Sequence, residues 1–191
     1  MFSMPFMFDL AVSHAIQQAS ADWLNQFMHL VSLVFEPTFL AGMCLLVTVV
    51  LYHRKRRDLA AKLIVISAGN ILTPFLKGVF ARPRPDAALV HVLVHESGYS
   101  FPSGHALGIV LFTASLIILF RKPKRWWPGL VGTVLIILVG YSRLVLGVHW
   151  LSDVLFGYVV ASLWIWAMVR FIWSHIHQWL TVPHSQHKSR L

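Results

Sequence analysis

The sequence predicts an all-α protein, a polytopic transmembrane helical bundle, and three observations carry that prediction. Hydrophobic residues make up 57% of the 191-residue chain and charged residues only 12%, where soluble domains carry roughly 25% charge. Mean hydropathy is +0.68. Apolar segments close to the roughly 17–25 residues that span a bilayer recur along the chain. Between them the cations fall in clusters, Arg54–Arg57 and Arg121–Arg125, that alternate with more polar stretches, as the positive-inside rule predicts for a multi-pass protein.

Five clear spans follow in order: Thr38–Tyr52, Leu59–Phe80, Ser103–Phe120, Trp126–Leu146 and Trp150–Trp173. The first is short unless its neighbours extend it. Residues 9–34 mix apolar residues with Asp9, His14, Gln17, Gln18, Asp22, Asn25, Gln26 and His29. That is too polar for a lipid-facing span, and it predicts an N-terminal amphipathic interfacial helix running into a shorter, protein-packed one. An imperfect sixth helix is the alternative. Met1–Phe8 lacks the charged start and small-residue cleavage site of a signal peptide. Trp126, Trp127, Trp150 and Trp173 are candidate interfacial anchors, whereas Trp164 and Trp166 lie deep enough to be packing residues. Residues 1–180 are expected to form a single membrane-embedded domain and 181–191 a short polar cytoplasmic tail.

The formal charge of +9 does not point to nucleic acid. Eight of the cations sit in the two loop clusters, and Lys77, Arg82, Arg84 and Arg143 fall in polar stretches instead. If the clustered loops are cytoplasmic, the 77–102 loop and the 143–150 turn both face outward and the C-terminus faces inward. The lone Cys44 lies in an apolar run and reads as packing. His175, His177, His184 and His187 have no Cys or acid beside them, so they read as a solvated tail rather than a metal site. No metal and no cofactor are expected, and oligomeric state is open.

Three polar stretches share one chemistry. Lys77 to Pro85 supplies Lys77, Arg82 and Arg84. Pro102-Ser103-Gly104-His105 precedes an apolar run, so Ser103 is positioned to N-cap a helix whose free N–H groups favour an anion, and Gly104 lets a phosphate approach the backbone. Ser142-Arg143 is followed by His149 and Asp153. The last two are spaced to share a helical face, with the carboxylate setting the tautomer of the imidazole; a structural His–Asp pair is the plainer alternative. Arg143 and His149 reach one pocket only if the helix breaks, and Gly147 is the place for it. Lys77 and Arg84 either bind phosphate or snorkel to headgroups; Arg82 is a headgroup contact or a backup ligand. His91 and His95 belong to the outer loop and read as solvated. Ionisable groups at membrane depth are functional candidates, and this set suits holding and attacking a phosphate without a metal.

Lys77-x6-Arg84-Pro85, Pro102-Ser103-Gly104-His105 and Ser142-Arg143-x5-His149-x3-Asp153 resemble the three signature motifs of the type 2 phosphatidic acid phosphatase superfamily, in order and in spacing, over about Leu59 to Trp173. The resemblance implies a metal-independent phosphatase acting on a lipid phosphate or diphosphate in the bilayer. Undecaprenyl pyrophosphate, phosphatidylglycerophosphate and phosphatidic acid are the candidate substrates. It makes His149 the nucleophile, His105 the general acid and Asp153 the residue orienting His149. Lys77, Arg84, Ser103, Gly104 and Arg143 would bind the phosphoryl oxygens. A lipid phosphotransferase using the same histidine, or a non-catalytic anion-binding membrane protein, are the alternatives.

Overall fold

The computed structural model describes residues 7–120, 122 and 125–172; the expected tail, most of the 121–125 cluster and Trp173 lie outside them. Among the described residues eight α-helices follow one another: α1 Met7–Gln18, α2 Asp22–Val34, α3 Pro37–His53, α4 Arg57–Ser67, α5 Leu72–Phe80, α6 Gly104–Phe120, α7 Trp127–Val145 and α8 Leu151–Ala167. A 3-10 turn, Ala68–Ile71, joins α4 to α5, and a π-helical turn, Met168–Ile172, extends α8. No strand occurs among the described residues.

Local sequence explains the breaks. Glu36 caps α3: its carboxylate accepts from Thr38 N at 2.8 Å and Phe39 N at 3.0 Å, with Pro37 in the first turn. That cap separates α2 from α3 but leaves them nearly continuous, so Asp22–His53 is a single apolar helical stretch. This lengthens the span expected at Thr38–Tyr52. Helix α5 ends on Ala81 in the left-handed region.

Four stretches, Asp22–His53, Arg57–Phe80, Trp127–Val145 and Leu151–Arg170, are long and apolar enough to cross a membrane; Gly104–Phe120 is a shorter apolar helix. The expectation of five clear spans therefore becomes four plus a shorter one. The short one is the core of the bundle. Helix α6 packs on α3, α4, α7 and α8, and nine of its residues are buried. Leu107 and Leu111 meet Ile66 and Ala161, while Ile109 meets Val31, Leu40 and Val139. Close approach of backbones, rather than apolar burial, holds such helices in lipid. At Gly157 of α8, an added Cβ would lie 2.8 Å from the carbonyl oxygen of Ser103 and 3.0 Å from Ala106. The outer helices instead show apolar side chains outward, Leu46, Ile71, Phe75 and Ile137 among them.

Helix α1 lies against α7 and α8 and turns its polar side inward. Asp9 and Ser13 are buried while Met7 and Phe8 are exposed. Two tryptophans differ from expectation. Trp150 is buried and Trp166 is 60% exposed, because Trp150 caps α8 inside the polar end whereas Trp166 falls on the outward face of that helix. Trp164 does pack, donating to the carbonyl of Val65 at 3.1 Å. Trp126 and Trp127 are exposed at the start of α7, and Cys44 is buried.

Candidate active site

The three polar stretches converge at one end of the bundle. A cavity of about 550 Å³ is lined there by Lys77 from α5, Gly104 and His105 from the start of α6, Glu96 from the long 81–103 connection, and His149. Helix α2 supplies a further wall through His29, Ser32 and Leu33.

His149 sits between two helices, not on one. Helix α7 stops at Val145, Gly147 takes φ +67°, and α8 begins only at Leu151. Gly147 breaks the helix as expected, and its lack of a side chain matters doubly: a Cβ there would lie 2.1 Å from the His91 carbonyl oxygen. The shared helical face expected for His149 and Asp153 is therefore replaced by another arrangement. Asp153 lies in the first turn of α8 and reaches back, accepting from Trp150 N at 2.9 Å, as the acid of a capping box does. The same Oδ2 lies 3.4 Å from His149 Nδ1. The pair is close but misaligned, so Nδ1 makes no hydrogen bond among the described residues. Such contacts are often loose without substrate.

The other ring nitrogen defines the tautomer. Arg84 Nη1 lies 3.2 Å from His149 Nε2. A guanidinium can only donate, so Nε2 is the acceptor and the neutral ring carries its proton on Nδ1, facing Asp153. Burial, then the charges of Arg143 and Arg84, push the His149 imidazole well below its usual range. It is neutral at pH 7, with a lone pair on Nε2.

Arg143 and Arg84 are joined by a residue the sequence did not single out. Arg143 Nη2 donates to Glu96 Oε1 and Nη1 to Ser32 Oγ. Arg84 Nη2 lies 3.1 Å from Glu96 Oε2, and carbonyls of Ser97, Gly98 and Val148 hold the rest of its guanidinium. Burial alone would raise the Glu96 carboxyl, but Arg143 and Arg84 outweigh it and hold it down at about 2. A carboxylate thus already sits between the two arginines. Arg143 Nε is buried without a hydrogen-bond partner among the described residues. Glu96 and Glu36 both line the cavity, Glu96 tied to the arginines and Glu36 to the start of α3.

His105 Nε2 lies 3.2 Å from the carbonyl oxygen of Ser32, so that nitrogen donates and Nδ1 is left to exchange a proton. Ser103 does cap α6, accepting from Ala106 N at 3.4 Å; it is fully buried and stands behind the cavity, its own N–H donating to Asp153 O at 3.1 Å. Gly104 also serves packing, since a Cβ there would press on Thr73 at 3.2 Å. Ser142 is turned to the carbonyl of Val139. Arg82 is neither headgroup contact nor backup ligand. It is buried, bonded to Asp153 Oδ1 at 2.6 Å and Asp9 Oδ2 at 2.9 Å. The signal for Asp9 was present in the sequence: a lone acid in an apolar helix is costly without a partner.

Known proteins resemble this chain in sequence and in fold. Phosphatidylglycerophosphatase B of Bacillus subtilis is 33% identical over 163 residues, 81% of this chain and 78% of that one. An undecaprenyl-diphosphatase of Sulfolobus acidocaldarius is 36% identical over 118 residues, 60% of this chain and 55% of that one. Among solved structures, a transmembrane PAP2-type phosphatidylglycerolphosphate phosphatase from Bacillus subtilis superposes with a TM-score of 0.74 at 29% identity, covering 87% of this chain and 85% of that one. LpxE of Aquifex aeolicus shares the fold, with a TM-score of 0.70 at 23% identity over 90% of this chain and all of that one. The PAP2 superfamily model matches residues 58–177, a stretch that carries all three motifs, and the chain belongs to the PAP2 superfamily.

Proposed function

We propose that the protein is an integral membrane lipid phosphatase, hydrolysing a lipid phosphate or diphosphate through a phosphohistidine. The observation that carries this reading is the set of contacts around His149. Its Nε2 accepts from Arg84 on one side, Asp153 backs its Nδ1 on the other, and it shares a cavity wall with Lys77, Gly104 and His105. Nε2 attacks phosphorus as the bond to the leaving oxygen breaks, and His105, in the form protonated on Nδ1 as well as Nε2, gives that oxygen its Nδ1 proton. Asp153 takes up the positive charge gathering on the imidazole. Water then attacks the phosphohistidine with His105 as base, the P–N bond breaks, and inorganic phosphate leaves.

Lys77, Arg84 and Arg143 stabilise the charge on the phosphoryl oxygens, with the free N–H groups at the start of α6 beside them. For the arginines to do so, Glu96 must yield its place to the phosphoryl group, a like-for-like exchange of one anion for another. Hydrolysis should persist in excess EDTA; loss on chelation with recovery on added Mg²⁺ would contradict the histidine route.

The relatives point to phosphatidylglycerophosphate and undecaprenyl diphosphate as substrates, and phosphatidic acid is the third candidate. Phosphate release from the detergent-solubilised protein, measured across the three lipids, tests the reading. No release from any of them would sink it. We read Gly104–Phe120 as a fifth span, α1 as interfacial, and residues 1–180 as one domain, with the cavity on the outer face and the C-terminus cytoplasmic. In a Cys44→Ser background, Ala88→Cys should react with an impermeant maleimide in intact cells and Arg56→Cys only after permeabilisation; the reverse would move the chemistry to the cytoplasmic face.

A further inference from the structure

We propose that Asp9, on the N-terminal helix α1, is a positioning residue of the active site: by sharing Arg82, it keeps Asp153 turned toward His149. The inference rests on the histidine mechanism proposed above. Asp9 lies outside residues 58–177, the stretch that matches the family model.

The geometry is a connected set of buried polar groups. Asp9, Arg82 and Asp153 are 0%, 2% and 0% exposed. Asp9 Oδ2 accepts from Arg82 Nη2 at 2.9 Å and from Ser152 Oγ at 2.7 Å, and Oδ1 accepts from Ser152 N at 2.9 Å. Arg82 Nη1 donates to Ser152 Oγ at 2.7 Å and to Asp153 Oδ1 at 2.6 Å. Arg82 therefore spends one arm on each carboxylate. Asp153 keeps Oδ2 for Trp150 N and for the side of His149 that carries the proton.

An arginine beside a single carboxylate tends to close on both of its oxygens, two parallel N–H···O bonds. Asp9 prevents that by occupying Nη2. Without its charge the hold on Nη2 weakens, the guanidinium turns toward both oxygens of Asp153, and Oδ2 is drawn off the imidazole. The balance of charge moves the same way. Asp9, Arg82 and Asp153 together carry one net negative charge beside His149; with Asp9 neutral they carry none. A net negative charge stabilises the imidazole as it becomes cationic on attacking phosphorus, so its loss lowers the rate of the chemical step rather than lipid binding. Asp9 touches neither substrate nor His149; it acts through Arg82 and Asp153.

The test is a double-mutant cycle on the full chain in detergent, with phosphate release from the most rapidly hydrolysed of the three lipids as the readout. Asp9→Asn keeps the shape and the acceptor for Ser152 N. It should lower kcat about tenfold with KM changed less than about twofold, because a transition-state interaction is lost and ground-state binding is not. Asp153→Asn should lower kcat further, and adding Asp9→Asn to it should lower kcat no more, since residues acting through one another are not additive. A folded Asp9→Asn protein with wild-type kcat overturns the proposal. So does a tenfold loss that persists on top of Asp153→Asn, which would mark a purely structural role. If Asp9→Asn does not give a monodisperse protein, Ser152→Ala is read instead. It removes the hydroxyl bridging Asp9 and Arg82, and with it the hydrogen bonds to both, and should cost about threefold in kcat; wild-type kcat there also overturns the proposal. Wild-type activity in Asp153→Asn would instead overturn the histidine mechanism, and the role of Asp9 with it.

Discussion

The two ends of the bundle use the same side chain in opposite ways. At one end Arg54, Arg56 and Arg57 are exposed between α3 and α4. Their surroundings are ordinary surface features: Arg57 lies 5.5 Å over the Tyr52 ring, and nearby Lys62 and Asp58 are 3.7 Å apart. At the other end Arg82 and Arg143 are buried, and each is tied to at least one carboxylate. An exposed ion pair is worth about 0–1 kcal/mol, whereas breaking a buried one costs about 3–5 kcal/mol because a charge is left stranded. The difference teaches that a cation's count along the chain says little until its solvent is known. In water it biases topology and contacts headgroups. Away from water it must hold something, and what it holds orients the neighbouring histidine.

The sharpest way to break this comparison is at the centre of the buried end. His149→Ala removes the attacking nitrogen and should lower kcat by at least about 10³-fold, since the covalent route that His105 assists vanishes with it, while the protein still inserts and purifies. Turnover near wild type would end the mechanism. In the wild type, the acid limb of kcat/KM should fall below about pH 6.5, the unperturbed histidine value. The sign follows from the lowered His149 value: the ring stays neutral, hence nucleophilic, as pH drops through that point. A limb above pH 6.5 would contradict it.

Arg143→Lys tests whether the fork matters or only the charge. Lysine cannot bridge Ser32 Oγ and Glu96 as Arg143 does. A loss of about 10²-fold in kcat/KM is expected, the scale of removing one placed donor; a loss under threefold would reduce Arg143 to a point charge. The tie to Glu96 should survive any working pH. With the Glu96 carboxyl held at about 2, its contribution to stability is whole above the ordinary carboxyl value of 4.5 and is lost only as pH falls through about 2.

Gly147→Ala sharpens the comparison through the backbone. A non-glycine residue at φ +67° costs about 1–3 kcal/mol, and the clash with the His91 carbonyl adds to it. The variant should melt at lower temperature and lose kcat, because the turn it distorts carries His149; thermal scans and phosphate release check both. At the other end, Arg54→Ala and Arg57→Ala should leave kcat within about twofold, as expected for solvated charges. A larger effect would mean that the two ends are coupled.

Much of this molecule was legible from the chain. Apolar runs of bilayer length located the helices, since in lipid every backbone polar group must be satisfied within its own segment. Motif residues in three polar stretches announced one pocket, because ionisable groups at that depth are too costly to be incidental. Even the break at Gly147 could be inferred, because Arg143 and His149 would otherwise point apart. What the chain did not disclose was pairing. Whether Arg82 meets lipid or protein, whether Glu96 is solvated or wedged between Arg84 and Arg143, and whether Asp9 faces water or Arg82 depend on which helices become neighbours. Asp9 and Arg82 stand 73 positions apart and Glu96 and Arg143 47, and their meeting is set by the packing of α1 and the 81–103 connection around α6, α7 and α8. Local periodicity records which residues share an element; only the tertiary structure decides which buried charges share a proton or a hydrogen bond.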